Sequence, residues 1–171
     1  MDKILVTYAS RTGSTSGVAE AIGQTLTKGG MNVDVLPMLE VTTLSSYSAV
    51  VAGSAIQSAQ WLPEAIQFIK SHQNDLKMKP FAIFTVCMTL AMSNGEKYRQ
   101  GIMEWVEPIR RLVSPISEGH FAGTLDISKI SSFGNRLRFR LSVLLGVWKE
   151  GDHRNWDEIR LWAENLKQKL K

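Results

Sequence analysis

Only one cysteine, Cys87, occurs in the chain, so no internal disulfide framework is available and a reducing, cytoplasmic setting is expected. No stretch reaches the roughly 18 uninterrupted apolar residues of a membrane span, and the first residues lack the apolar core of a signal peptide. The glycine signature G-x-G-x-x-G is absent, and so is G-K-[ST], which excludes a Rossmann dehydrogenase and a Walker nucleotidase. A phosphatase-type C-x5-R is missing because position 93 is serine, so Cys87, at the end of an apolar run, reads as core. Neither an internal repeat nor a low-complexity tract is present. Basic residues outnumber acidic ones, 20 to 16, and the resulting charge of +4 points to an anionic partner. Nucleic acid is not expected as that partner, since the arginines are few and no binding motif accompanies them.

What remains is an ordinary globular composition, 44% hydrophobic and 21% charged, in 171 residues, enough for a single domain spanning 1–171. Short apolar or β-branched runs alternate with segments of helical period. Strands are expected at 4–8, 32–37, 49–56, 80–88 and 117–125, and helices at 14–28, from Pro63, at 96–113 and at 156–170. The alternation implies an α/β fold, a doubly wound five-stranded parallel sheet with helices on both faces. The alternating character of 32–37 places that strand nearer an edge. Residues 126–150 exceed what such a domain needs and form a partly helical insertion before the last helix.

Ligands in doubly wound sheets bind at the carboxyl ends of strands. After the first strand comes Ser10-Arg11-Thr12-Gly13-Ser14-Thr15, at the start of a helix whose first N–H groups are unpaired and partly positive. One helix cap needs one hydroxyl, and here there are four, together with a glycine that admits close backbone approach; a phosphate monoester fits that set. A plain Ser/Thr-rich turn is the other reading. A phosphoacceptor receiver domain would need an acidic pair after the first strand and an aspartate ending the third, where Ser10, Arg11 and Ser54 stand.

The stretch "SRTGST" resembles the phosphate loop of flavodoxins, [ST]-x-[ST]-G-x-[ST] directly after strand 1. "GSAI" ending the third strand and "VCMTLAMSNGE" after the fourth lie where that family has its two flavin-contacting loops. Within the family the chain looks closest to the menaquinone-dependent protoporphyrinogen dehydrogenase-like branch, which shares "GSAI", an "FAG" in the fifth strand and a long insertion before the last helix. The resemblance implies non-covalent FMN, its phosphate on the loop Ser10, Arg11, Thr12, Gly13, Ser14 and Thr15. It implies flavin contacts from Ser54, Ala55, Ile56, Gln57 and Trp61 and from Cys87, Met88, Thr89 and Leu90. Trp61 would either stack on the ring or seat the helix that begins at Pro63.

Two departures from electron-carrying flavodoxins favour two-electron chemistry on an organic substrate. No tyrosine stands in the second flavin loop, where no aromatic occurs before Tyr98, so one ring face would be open or covered only by Met and Leu. No glycine occurs in 55–60, where carriers have one whose peptide flips to stabilise the one-electron-reduced flavin. The basic charge also contrasts with the acidic carriers. No side chain stands out as a general base, and His120 and His153 read as structural. The expected partners are a small-molecule substrate and a quinone or redox protein. In 133–148, Phe133, Leu137, Leu141, Leu144, Leu145 and Trp148 recur at helical spacing bordered by Arg136, Arg138 and Arg140. That segment is either an extra helix on the sheet edge or a peripheral contact with a membrane or lipophilic partner.

Overall fold

In the computed structural model, which describes residues 3–92 and 95–170, β1 (Lys3–Ala9) lies inside a parallel sheet and is covered on both faces, which accounts for its nearly unbroken apolar run. It pairs on one side with β2 (Asn32–Pro37) and on the other with β3 (Ala49–Gln57). β5 (Phe81–Val86) and β6 (Ser117–Phe121) complete the sheet in the order β2-β1-β3-β5-β6, all parallel. A two-residue strand, β4 (Gln60–Trp61), folds back antiparallel on the end of β3. β2 is an edge strand and only half buried, as its alternation implied.

Helices α1 (Ser14–Lys28) and α6 (Trp156–Leu166) cover one face. Val18, Ile22, Leu26, Ile159 and Ala163 pack there against Ile4, Val6, Val51 and Phe84. The other face is covered by α2 (Pro63–Ser71) and α4 (Arg99–Leu112), with the short α3 (Gln73–Lys77) alongside. Phe68, Ile69, Val106 and Ile109 meet Leu5, Val50, Ala52 and Ile83 on that side. Successive residues of one strand therefore serve opposite cores, the period-two rule of a buried strand.

Four boundaries differ most from the sequence expectation, the first being that α4 begins at Arg99 and not at 96, after a 3-10 turn, Gly95–Tyr98. The fourth strand stops at Val86, and Met88–Ala91 is a 3-10 turn. The last helix ends at Leu166 and not at 170. The fifth strand does not run to 125: after Phe121 the chain leaves the sheet, and β7 (Thr124–Leu125) pairs antiparallel with β8 (Gly151–Asp152). β6 runs out of partner where β5 ends, at the pair Val86–Phe121, and the departing chain is then held by α1. The Thr124 N–H donates to Ser14 Oγ at 2.9 Å, and Gly123 fits against that hydroxyl where a Cβ would sit 3.1 Å from it.

Between β7 and β8 lies the insertion. A 3-10 turn, Ile127–Lys129, is capped by the Asp126 carboxylate, and α5 (Phe133–Leu144) is capped by Ser132 Oγ. No residue of α5 is buried, so it is not a helix packed into the sheet edge. Arg136 is occupied by the backbone, donating from Nε and Nη2 to Ile130 O at 3.2 and 2.8 Å. Among the described residues, no helix is long and apolar enough to cross a membrane.

The small residues ending β3 have a packing reason. Gly53 pairs with Phe84, whose fully buried ring lies so close that an added Cβ would meet it at 2.0 to 2.3 Å. The ring has nowhere to go, so Gly53→Ala should cost at least about 2 kcal/mol, toward the upper end of overpacking penalties. A urea melt checks this; an unchanged midpoint would mean that the sheet yields where the core looks rigid.

Candidate functional site

The loop joining β1 to α1 opens onto a cleft of about 510 Å³. Gly13 takes the N-cap position in the left-handed conformation, with φ 87°, and supplies no side-chain cap. The first-turn N–H groups of α1 have no intrahelical partners, and no acidic residue stands in that turn to satisfy them. Inside this turn Thr15 is 1% exposed, and its Oγ1 has no hydrogen-bond partner although the residue lines the cleft. A buried hydroxyl without a partner is costly, so a ligand acceptor reaching it would gain correspondingly. Ser10 Oγ accepts from the Gly13 N–H at 3.2 Å, and Ser14 Oγ accepts from Thr124, which leaves both hydroxyl protons to donate. Ser10, Arg11, Thr12, Ser14 and Thr15 all line the cleft.

Arg11 has another partner. Its guanidinium forms a two-pronged pair with Glu64 at the start of α2, the Nη2–Oε2 contact at 2.8 Å. The hydrogen bond to Glu64 raises the Arg11 pKa, and the same bond lowers that of Glu64. Charge complementarity for an anion therefore rests on the α1 terminus and the hydroxyls, with Arg11 bracing the loop against α2.

The second expected loop contributes Ala55, Ile56 and Gln57 to the cleft, joined by Ser58 and Ala59. These last two form the turn between β3 and β4 with φ 52° and 60°. Consecutive left-handed residues usually call for Asn or Gly, so this glycine-free turn holds strain of about 1–2 kcal/mol per residue. Two residues expected here lie elsewhere. Trp61 is 1% exposed in the core, its Nε1 donating to Thr85 Oγ1 at 3.0 Å, and it does not line the cleft. Ser54 is fully buried, accepting from Leu62 N–H at 3.0 Å and donating to Ala55 O at 2.8 Å.

From the third loop, Cys87, Met88 and Thr89 line the cleft, whereas Leu90 sits in the 3-10 turn outside it. Ser93 and Asn94 of that loop lie outside the described residues. Neither His120 nor His153 lines the cleft. Desolvation lowers the His120 pKa, against the opposing pull of the Glu118 carboxylate.

Sequence reading missed the far wall. Trp105 of α4 and Phe139 and Trp148 of the insertion line it, the last two with ring centroids 6.4 Å apart. Side chains distant from the third loop thus bring aromatics to a cleft to which that loop contributes none. Phe139 had one legible signal, being an aromatic on the side of α5 opposite the leucine stripe. This wall is anchored to the phosphate-type loop. Asp152 on β8 accepts from Thr124 Oγ1 at 3.2 Å and from Arg154 Nε and Nη2 at 2.8 and 2.7 Å. Arg154 lies over Trp156, 4.3 Å from its ring centroid, and Nη1 reaches Ser14 O at 3.4 Å. Hydrogen bonding from Arg154 brings the Asp152 pKa down to about 2.

A family model for the flavodoxin domain matches residues 5–143. Among solved structures, a short-chain flavodoxin associated with a bacterial microcompartment superposes with a TM-score of 0.64 at 14% identity, 100% of each chain being covered. The flavodoxin of Fusobacterium nucleatum bound to flavin mononucleotide gives 0.58 at 14% identity, again over 100% of both chains. A flavodoxin from the domain Archaea gives 0.59 at 17% identity over 98% of each chain. At such identities the likeness is one of fold.

Two measurements probe the site. Thr15→Val keeps the shape and removes the orphan hydroxyl, so stability without ligand should hold or rise slightly. FMN should then bind more weakly by about 1.5–3 kcal/mol, a rise in Kd of roughly 10- to 150-fold, with little change for riboflavin. Equal losses for both ligands would assign Thr15 to the fold. For Asp152 the depressed folded-state pKa gives stability that is complete above the ordinary carboxylate range near 4 and is lost as pH falls toward about 2. The melting temperature should drop across that window in the parent and drop less in Asp152→Asn.

Proposed function

The chain belongs to the flavodoxin family, and from that premise we propose that it is an FMN-dependent oxidoreductase. It would take electrons from an organic substrate and pass them to a quinone or redox protein, in the manner of the protoporphyrinogen dehydrogenase-like branch. The observation that carries the reading is the buried, unpartnered Thr15 hydroxyl at an uncapped helix terminus inside the cleft. A terminal phosphate satisfies it, and FMN carries one. The relatives solved with flavin mononucleotide share the fold end to end.

Ser10, Thr12, Ser14 and Thr15 would hold the phosphate by hydroxyl donation, with first-turn N–H groups of α1 adding theirs. Residues 55–59 and Cys87, Met88 and Thr89 would flank the ring. Bound FMN supplies the redox chemistry, so the side chains have only to bind, orient and exclude water. Phe139, Trp148 and Trp105 offer an apolar aromatic wall against which an organic substrate can lie. Lys129 on the same wall supplies a cation for an anionic substituent, although it already pairs with Asp126 at 3.5 Å.

A second reading, a small electron carrier without a substrate of its own, is favoured by the end-to-end match to flavodoxins of similar length. Extraction and photoreduction separate the two. The cofactor released from purified protein should be FMN; recovery of FAD would overturn the assignment. Reduction should proceed in one two-electron step. Build-up of a stable one-electron species with long-wavelength absorption would favour the carrier.

A further inference from the structure

The outward face of α5 is the least explained surface of the molecule. At about 100° per residue, Phe133, Leu137, Leu141 and Leu144 fall within an arc of about 80°, while Asn135 and Phe139 point to the opposite side and line the cleft. The arc faces outward: Phe133 is 78% exposed, Leu137 50%, Leu141 51% and Leu144 82%, and Leu145 follows at 79%. Five large apolar side chains on one exposed patch are a cost to a protein that leaves them in water.

Charge is the second property of this face. Between 127 and 149 the chain carries five basic residues, Lys129, Arg136, Arg138, Arg140 and Lys149, and no acidic one. Arg138 and Arg140 flank the leucine arc on its two sides. A second copy of the chain is a poor occupant, because a twofold contact would set this cationic patch against itself. An anionic lipid surface is complementary on both counts, with leucines entering the acyl boundary and arginines remaining among the headgroups.

We propose that α5 lies in the interface of an anionic membrane, leucine arc downward, with the cleft on its upper side. The docking stands on this surface alone and does not depend on the redox reading, but it gives that reading a source for its partner. A lipid-soluble substrate or quinone would reach the aromatic wall without crossing water.

The test is co-sedimentation of the full chain with vesicles of phosphatidylcholine alone and of phosphatidylcholine mixed with phosphatidylglycerol. Binding is expected to the mixed vesicles and to weaken with salt. Leu137→Glu with Leu144→Glu should abolish it. Arg138→Gln with Arg140→Gln should raise the apparent Kd about 25-fold, roughly fivefold for each charge removed. All four positions are exposed, so far-UV circular dichroism should match the parent in both variants. Failure of the parent to bind mixed vesicles overturns the proposal. So does binding that survives the glutamates, or a concentration-dependent dimer that the glutamates disperse. The flavin spectrum reports on the cofactor separately, so a colourless protein that binds vesicles would sink the redox reading and leave the docking intact.

Discussion

One hydrogen bond, from the Thr124 N–H to Ser14 Oγ at 2.9 Å, ties the last third of the chain to the β1–α1 loop. Where the backbone leaves the sheet after Phe121, this bond holds β7 beside the anion-type loop. There β8 can pair with it, and Asp152 and Arg154 can join the network. The same contact keeps Ser14 Oγ oriented, its lone pair engaged and its proton free. The cleft thus has two walls of different origin tied at one corner. One is the β1–α1 loop common to doubly wound folds, and the other the insertion between β7 and β8.

The fold was legible because its determinants are local. A buried parallel strand must be apolar along its length, as β1 and β5 are, and Pro63 marks the first turn of α2 wherever the rest of the chain lies. The hydroxyl-rich turn was legible for the same reason, since the loop and its helix are adjacent in sequence. What escaped depended on contacts across long separations. Ser14 meets Thr124 and Arg11 meets Glu64, and no periodicity announces either pairing. Trp61 shows the ambiguity well. Its position beside a flavin-type loop suggested stacking, but a partner 24 residues on, the Thr85 hydroxyl, draws the indole into the core.

The leucines expected as a stripe in the insertion do share one side of α5, but Trp148, counted with them, lies past the helix and lines the cleft, and the environment of the stripe could not be read. α5 is apolar on two opposite sides, so a wheel drawn from the sequence shows leucines without saying which side meets the protein. The aromatic side turned inward because it faces the cleft, and the leucine side was left out. A helix in that situation draws little stability from the core, and its capping by Ser132 and the Arg136 contact to Ile130 O become comparatively important.

The pairing of β7 with β8 has a consequence for how the family can vary. Its two rungs, Thr124 with Asp152 and Leu125 with Gly151, clasp the insertion at its base. The span between them is fixed by strand geometry whatever the intervening residues do. Closing a longer loop across such a clasp costs only about 0.6 kcal/mol for each doubling of its length. The segment can be lengthened, shortened or exchanged while the five-stranded core and the anion-type loop keep their shape, so that one wall of the cleft varies beside another that does not.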